Sequence, residues 1–147
     1  MARKHTPSFI IELPLVVTPE DDRILQSRMV AGQRLYNGVL HSALKWLRRM
    51  RESNDWQTAK AIQRGKKSKR MFRDVRDRFG LSEYHLQAVA TEMKNQAGWQ
   101  NRLGAHETQK IATRVWNSLF EHMKGVRGRP RFKGRRRTLH SLEGKTN

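Results

Sequence analysis

The chain has 147 residues, with 31 Lys and Arg against 13 Asp and Glu, a formal net charge of +18 and 36 % hydrophobic residues. That length supports one or two small domains with a modest core. The absence of cysteine excludes disulfides, thiolate catalysis and Cys-ligated zinc or iron–sulfur centres. A charge this large repels itself unless a polyanion neutralises it, and nucleic acid is the first such partner to consider.

Ser8 to Val17 reads as a strand, with Phe9, Ile11, Leu13, Leu15 and Val17 on one face. Pro14 has no amide hydrogen to give a ladder, so the strand belongs at an edge or carries a bulge. Glu12 and Pro14 also interrupt the apolar stretch that follows the basic Met1–His5. No run approaches the ~20 apolar residues of a membrane span, and no signal peptide is expected. The expected location is the prokaryotic cytoplasm, with the nucleoid as an alternative site within it, and no membrane contact.

Thr18-Pro19-Glu20-Asp21-Asp22 has the form of a helix start: a capping threonine, proline in the first turn, and three acids against the positive end of the helix dipole. Apolar residues from Ile24 through Tyr36, Val39, Leu40, Ala43 and Leu47 to Met50 recur at three- and four-residue spacing, so the helix should run to about Arg51. Gly32 marks a weak point or a close approach. Lys45, Arg48, Arg49 and Arg51 crowd its last turns, more cations than the C-terminal dipole requires.

Ser53-Asn54-Asp55 should cap a short helix holding Trp56, Ala59 and Ile62. A second begins at Lys66 with Phe72, Val75 and Phe79 on one face and stops at Gly80. Ser82 caps a third, with Leu86, Val89, Ala90, Met93 and Ala97 turned inward. A last helix after Gly104 carries Ile111, Ala112, Val115, Trp116, Leu119, Phe120 and Met123, and closes at Gly125. Beyond it the chain is rich in Gly and Arg, and Thr138–Leu142 has weak strand character. The expected fold class is α+β, mainly helical, with a helical insert between terminal strands. The divisions are residues 1–17, 18–125 and 126–147.

Chemistry-bearing patterns are sparse. No carboxylate cluster has the spacing of a two-metal nuclease, and no phosphate-binding glycine loop or dinucleotide fingerprint is present. Six histidines include His85 near Glu83 and His106 beside Glu107, but no metal-binding pair at helical spacing. A metal-independent ribonuclease using His85 or His106, and a packaging protein on duplex DNA, are the alternative readings. No catalytic residue, metal or cofactor is assigned.

The strong signal is cationic. Residues 64–78 hold eight Lys/Arg and two Asp, and residues 125–147 hold eight Lys/Arg and one Glu. Phe132 lies among Arg131, Lys133 and Arg135, the pattern of a stacking ring in a groove that tracks a phosphate backbone. The candidate RNA contacts are Arg127, Arg129, Arg131, Phe132, Lys133, Arg135, Arg136 and Arg137. The further nucleic-acid contacts are Lys45, Arg48, Arg49, Lys66, Lys67, Lys69, Arg70 and Arg73.

Three features in this order resemble the N-terminal part of the TnpB-type transposon-encoded RNA-guided nucleases and of the related type V CRISPR effectors. They are the strand leading to Arg34-Leu35-Tyr36-Asn37-Gly38-Val39-Leu40, the amphipathic helix with Trp116 and Phe120, and Gly128-Arg129-Pro130-Arg131-Phe132-Lys133-Gly134-Arg135 followed by Ser141-Leu142-Glu143-Gly144. The resemblance implies a helical recognition domain inserted between strands of a small wedge β-barrel, incomplete in this chain. It implies a structured guide RNA as partner, target DNA as a further one, and a second chain supplying missing wedge strands and nuclease. By position, Arg129, Arg131, Phe132 and Lys133 would touch RNA, while Tyr36 and Asn37 would serve packing and the helix surface. The family's nuclease domain and its cysteine-ligated zinc element have no counterpart here, so the resemblance is to a truncated member without cleavage activity.

Overall fold

The computed structural model describes Pro7 and residues 9–145. Five helices follow in order: α1 (Pro19–Glu52), α2 (Asn54–Ala61), α3 (Lys66–Arg78), α4 (Glu83–Gln96) and α5 (Ala105–Met123). The start of α1 is a reciprocal cap. The Thr18 hydroxyl accepts from the Asp21 amide at 3.1 Å, and the Asp21 carboxylate accepts from the Thr18 amide at 3.0 Å. Those Thr18 hydrogen bonds, the hydroxyl's first, hold the Asp21 carboxyl below its usual range. Ser53 ends α1 and caps α2, accepting from the Trp56 amide at 3.2 Å, and Ser82 caps α4 in the same way. Gly80, at φ +71°, turns the chain between α3 and α4 in a conformation that side chains resist.

The core lies between α1, α4 and α5. α1 and α5 run side by side in the same direction, with Arg28 paired to Glu107 at one end and Gly32 facing Ile111 a turn later. α4 runs against both, placing Met93 beside Gly38 and His85 against Trp46. Leu35, Val39, Leu40, Ala43, Leu47 and Met50 of α1 meet Leu86 and Ala90 of α4 and Ile111, Val115 and Leu119 of α5, all buried. Leu81 and Leu103, in the connections on either side of α4, are buried with them. α2 and α3 pack on each other at the far end of α1, with Trp56 edge-on to Phe72 at 4.8 Å.

The α+β expectation is overturned. Among the described residues there is no strand, no sheet and no barrel; they are helical, with neither helix nor strand before α1 or after α5. Ser8 lies outside the described residues. Phe9–Val17, expected as a strand, forms none and has no backbone pairing among the described residues, and Phe9, Ile10, Leu13 and Leu15 are exposed. A strand needs a neighbouring edge, and the segment after α5, whose Thr138–Leu142 was the other expected strand, is engaged elsewhere. Residues 126–145 turn back along the α1–α5 groove, where Leu139 is buried and Leu142 packs on the core. Ala97, expected on the inner face of α4, is exposed at its C-terminal cap.

Gly32 makes this docking possible. A Cβ at that position would lie 2.8 Å from Leu142 Cδ2 and 2.9 Å from Leu139 Cδ2, so the two leucines rest on bare helix backbone. The tail's end is tied to α5: Arg114 donates to the Ser141 carbonyl at 2.8 Å, and Lys110 pairs with Glu143 at 2.9 Å. The Lys110 hydrogen bond is the main reason the Glu143 carboxyl is held below its usual range.

A bulky side chain at Gly32 should therefore unseat the tail and spare the bundle. In Gly32→Phe, hydrogen–deuterium exchange over residues 138–142 should accelerate about tenfold or more, the loss of roughly 1.4 kcal/mol of local protection, while α4 and α5 peptides stay protected. Unchanged exchange at 138–142 would show that the leucines do not need the bare backbone.

Candidate nucleic-acid interface

Asn37 determines where the cationic tail crosses α1. Its amide donates to the Lys133 carbonyl at 2.8 Å, and its carbonyl accepts from the Lys133 amide at 2.7 Å. One side chain thus satisfies both backbone groups of Lys133, as a neighbouring strand would. The Gln33 side-chain Oε1 accepts from the Leu139 amide at 3.3 Å. Between these points the tail reverses at Arg135-Arg136, closed by paired hydrogen bonds between Gly134 and Arg137 at 3.0 and 3.3 Å. The expectation that Tyr36 is a packing residue holds, since it is 5 % exposed. Asn37 does more than decorate a helix surface.

Two clefts flank this crossing. The first, about 440 Å³, lies over Tyr36 and Ser118 and is walled by Arg127, Arg129, Arg131, Phe132, Lys133 and Arg137. The second, about 570 Å³, lies along the C-terminal half of α1, with His41, Leu44, Lys45, Leu47, Arg48 and Arg51 facing His122, Arg129 and Phe132. Arg129 and Phe132 line both. No carboxylate is among the described residues that line either cleft.

The cations differ in how they are held. Arg127 pairs with Glu121 at 3.1 Å, and the Lys133 ammonium lies 5.3 Å from the centre of the Tyr36 ring. Arg48 approaches Glu52 at 3.6 Å, but both side chains are largely exposed, so the pair is weak and yields readily to a phosphate. Arg129, Arg131 and Arg137 have no ion-pair partner among the described residues. Burial pushes the Tyr36 hydroxyl above its ordinary pKa, opposed by Ser118, Arg127 and Arg114, so it stays a neutral floor to the first cleft.

The structure therefore brings together Lys45, Arg48, Arg127, Arg129, Arg131, Phe132, Lys133 and Arg137 from two distant stretches of sequence. It does not bring in the rest. Arg135 and Arg136 sit at the exposed tip of the tail's turn, and Arg49 is exposed on α1 away from both clefts. Lys66, Lys67, Lys69, Arg70 and Arg73 stay on α3 and line neither cleft, with Arg70 near Asp74 at 3.9 Å. α3 is joined to α5 by Arg76, whose guanidinium lies 5.0 Å from the Phe120 ring and 6.0 Å from that of Trp116. Burial there pushes the guanidinium below its ordinary pKa. His41 and His122 were missed by the sequence reading. The available signal was the spacing of His41, Lys45 and Arg48, which places them on one helix face. His85 packs against Trp46 at 5.3 Å between ring centres.

Comparison with protein-family models, curated proteins and solved structures finds no match. No described helix is long and apolar enough to cross a membrane.

Asn37→Ala removes two hydrogen bonds at once and should lower the unfolding free energy by about 1–3 kcal/mol in urea titrations. An unchanged midpoint and slope would show that the Asn37 pair contributes nothing to holding the tail.

Proposed function

We propose that this chain is a non-catalytic nucleic-acid-binding module that grips structured RNA along the two joined clefts, with an RNA–DNA hybrid as a further ligand. The observation that carries this reading is the pair of clefts lined by eight Lys and Arg side chains and no carboxylate, sharing an exposed aromatic ring. Such a surface neutralises phosphates at several points along a strand, and the release of their counterions drives binding. Arginine dominates the tail, and its planar fork matches two phosphate oxygens where an ammonium offers only a point charge.

Contacts of this kind read backbone and shape, leaving sequence to base pairing. The similarity of Arg129-Pro130-Arg131-Phe132-Lys133 to the RNA-gripping segment of TnpB-type proteins favours structured RNA over random duplex DNA. That support is for the ligand; the wedge barrel is not part of the proposal.

Affinity for a structured RNA should fall steeply with salt. Replacing Lys45, Arg129 and Arg131 together by Ala should make the slope of log K against log salt shallower by about 2, at roughly 0.7 per lost phosphate contact. Lys60→Ala, outside both clefts, should leave it unchanged. An unaltered slope in the triple variant would remove the clefts as the interface. Equal affinity for random duplex DNA would replace the RNA reading with one of general packaging.

A further inference from the structure

The second cleft differs from the first in having an apolar floor and two histidines. Leu44 and Leu47 line its base, and Phe132, 49 % exposed, stands at its boundary with the first cleft. Lys45, Arg48 and Arg129 form a cationic rim. A surface made only to attract phosphates has no use for a half-exposed phenyl ring above leucines. Its volume of about 570 Å³ lies within the range of small-ligand sites, roughly 300–1,000 Å³.

We infer that this cleft is a subsite for one unstacked nucleotide, its base laid on Phe132 over Leu44 and its phosphate among Lys45, Arg48 and Arg129, beside His41 and His122. The inference rests on the nucleic-acid reading above and names the form of ligand: an unpaired base in a loop, bulge or single strand. A base inside a duplex has both faces covered by its neighbours and cannot present one to Phe132.

The charged groups around His41 and His122 are Lys45, Arg48 and Arg51 from α1 and Arg129 from the tail. Glu121, the neighbour of His122 in α5, is engaged by Arg127, and His122 Nδ1 lies 3.4 Å from the Arg127 carbonyl oxygen. The bound phosphate thus supplies the negative charge that the cleft lacks.

The test uses the full chain and a short fluorescently labelled single-stranded RNA, the same strand with abasic sites at its centre, and the same strand in a duplex. At fixed salt, removing the bases should weaken binding by about fivefold to a hundredfold, the range for loss of a stacked base. Phe132→Ala should erase that difference and Phe132→Tyr should restore it, with circular dichroism unchanged in both. Equal binding of intact and abasic strands, with salt dependence retained, overturns the subsite and leaves the cationic interface standing. Failure to bind any of the three RNAs overturns both the subsite and the reading beneath it.

Discussion

Leu139 and Leu142 rest on the bare backbone of Gly32, and the placement of the tail's cations depends on that contact. Fixing an extended residue costs about 1–2 kcal/mol in backbone entropy, and burying a leucine returns about 1.5–3 kcal/mol. Two leucines cannot order twenty residues alone. The remaining stability comes from anchors spaced along the segment: Asn37 on Lys133, Gln33 on Leu139, Arg114 on Ser141 and Lys110 on Glu143. Between the first two, the chain closes on itself through Gly134 and Arg137. The tail is thus ordered by a series of local contacts, and the first of them holds Lys133 beside Phe132.

The same economy explains why the clefts contain no acid. The protein has 13 carboxylate side chains, and many are engaged in holding the fold together. Asp21 caps α1, Glu107 holds Arg28 at the head of α5, and Asp55 holds Arg78 between α2 and α3. Glu121 takes Arg127, Glu143 takes Lys110 and Arg114, and Glu83 accepts from Thr113 across the α4–α5 interface. Few of these exposed pairs contributes more than about 1 kcal/mol. Their larger effect is on distribution: with acids placed at caps and crossings, the cations where α1 and the tail meet face one another with no acid among them, while a second cationic group stays on α3.

The helices were legible because each carries its own punctuation. Thr18 with Asp21, Ser53, Ser82 and the positive-φ glycines at 80 and 125 mark ends by local chemistry, and the three- and four-residue spacing of the apolar residues marks the buried faces. The terminal strands were misread because alternation specifies two faces but no partner. Phe9–Val17 has the more regular pattern and remains unpaired, whereas Leu139 and Leu142, in a weaker pattern, find a receiving surface at Gly32. At the site, the cationic segments were visible as composition, but their convergence was not. Nothing in the neighbourhood of Asn37 announces a partner 96 positions away, so Lys45 and Arg129 read as separate clusters until the tail is seen crossing α1.

Anchoring also changes what an arginine-rich tail is able to do. A disordered basic segment pays its ordering entropy when it meets nucleic acid, which lowers the affinity gained from each contact and lets it adapt to many shapes. Here Lys133 is held by two backbone hydrogen bonds before any ligand arrives, and Arg129 and Phe132 are placed against the cationic face of α1. The spacing between cations is therefore a property of the fold. A surface of fixed spacing rewards a backbone that follows the same path and penalises one that must bend to reach it. On the proposed nucleic-acid reading, preference among ligands would arise without base-specific hydrogen bonds, from where Asn37 and Gly32 hold the chain.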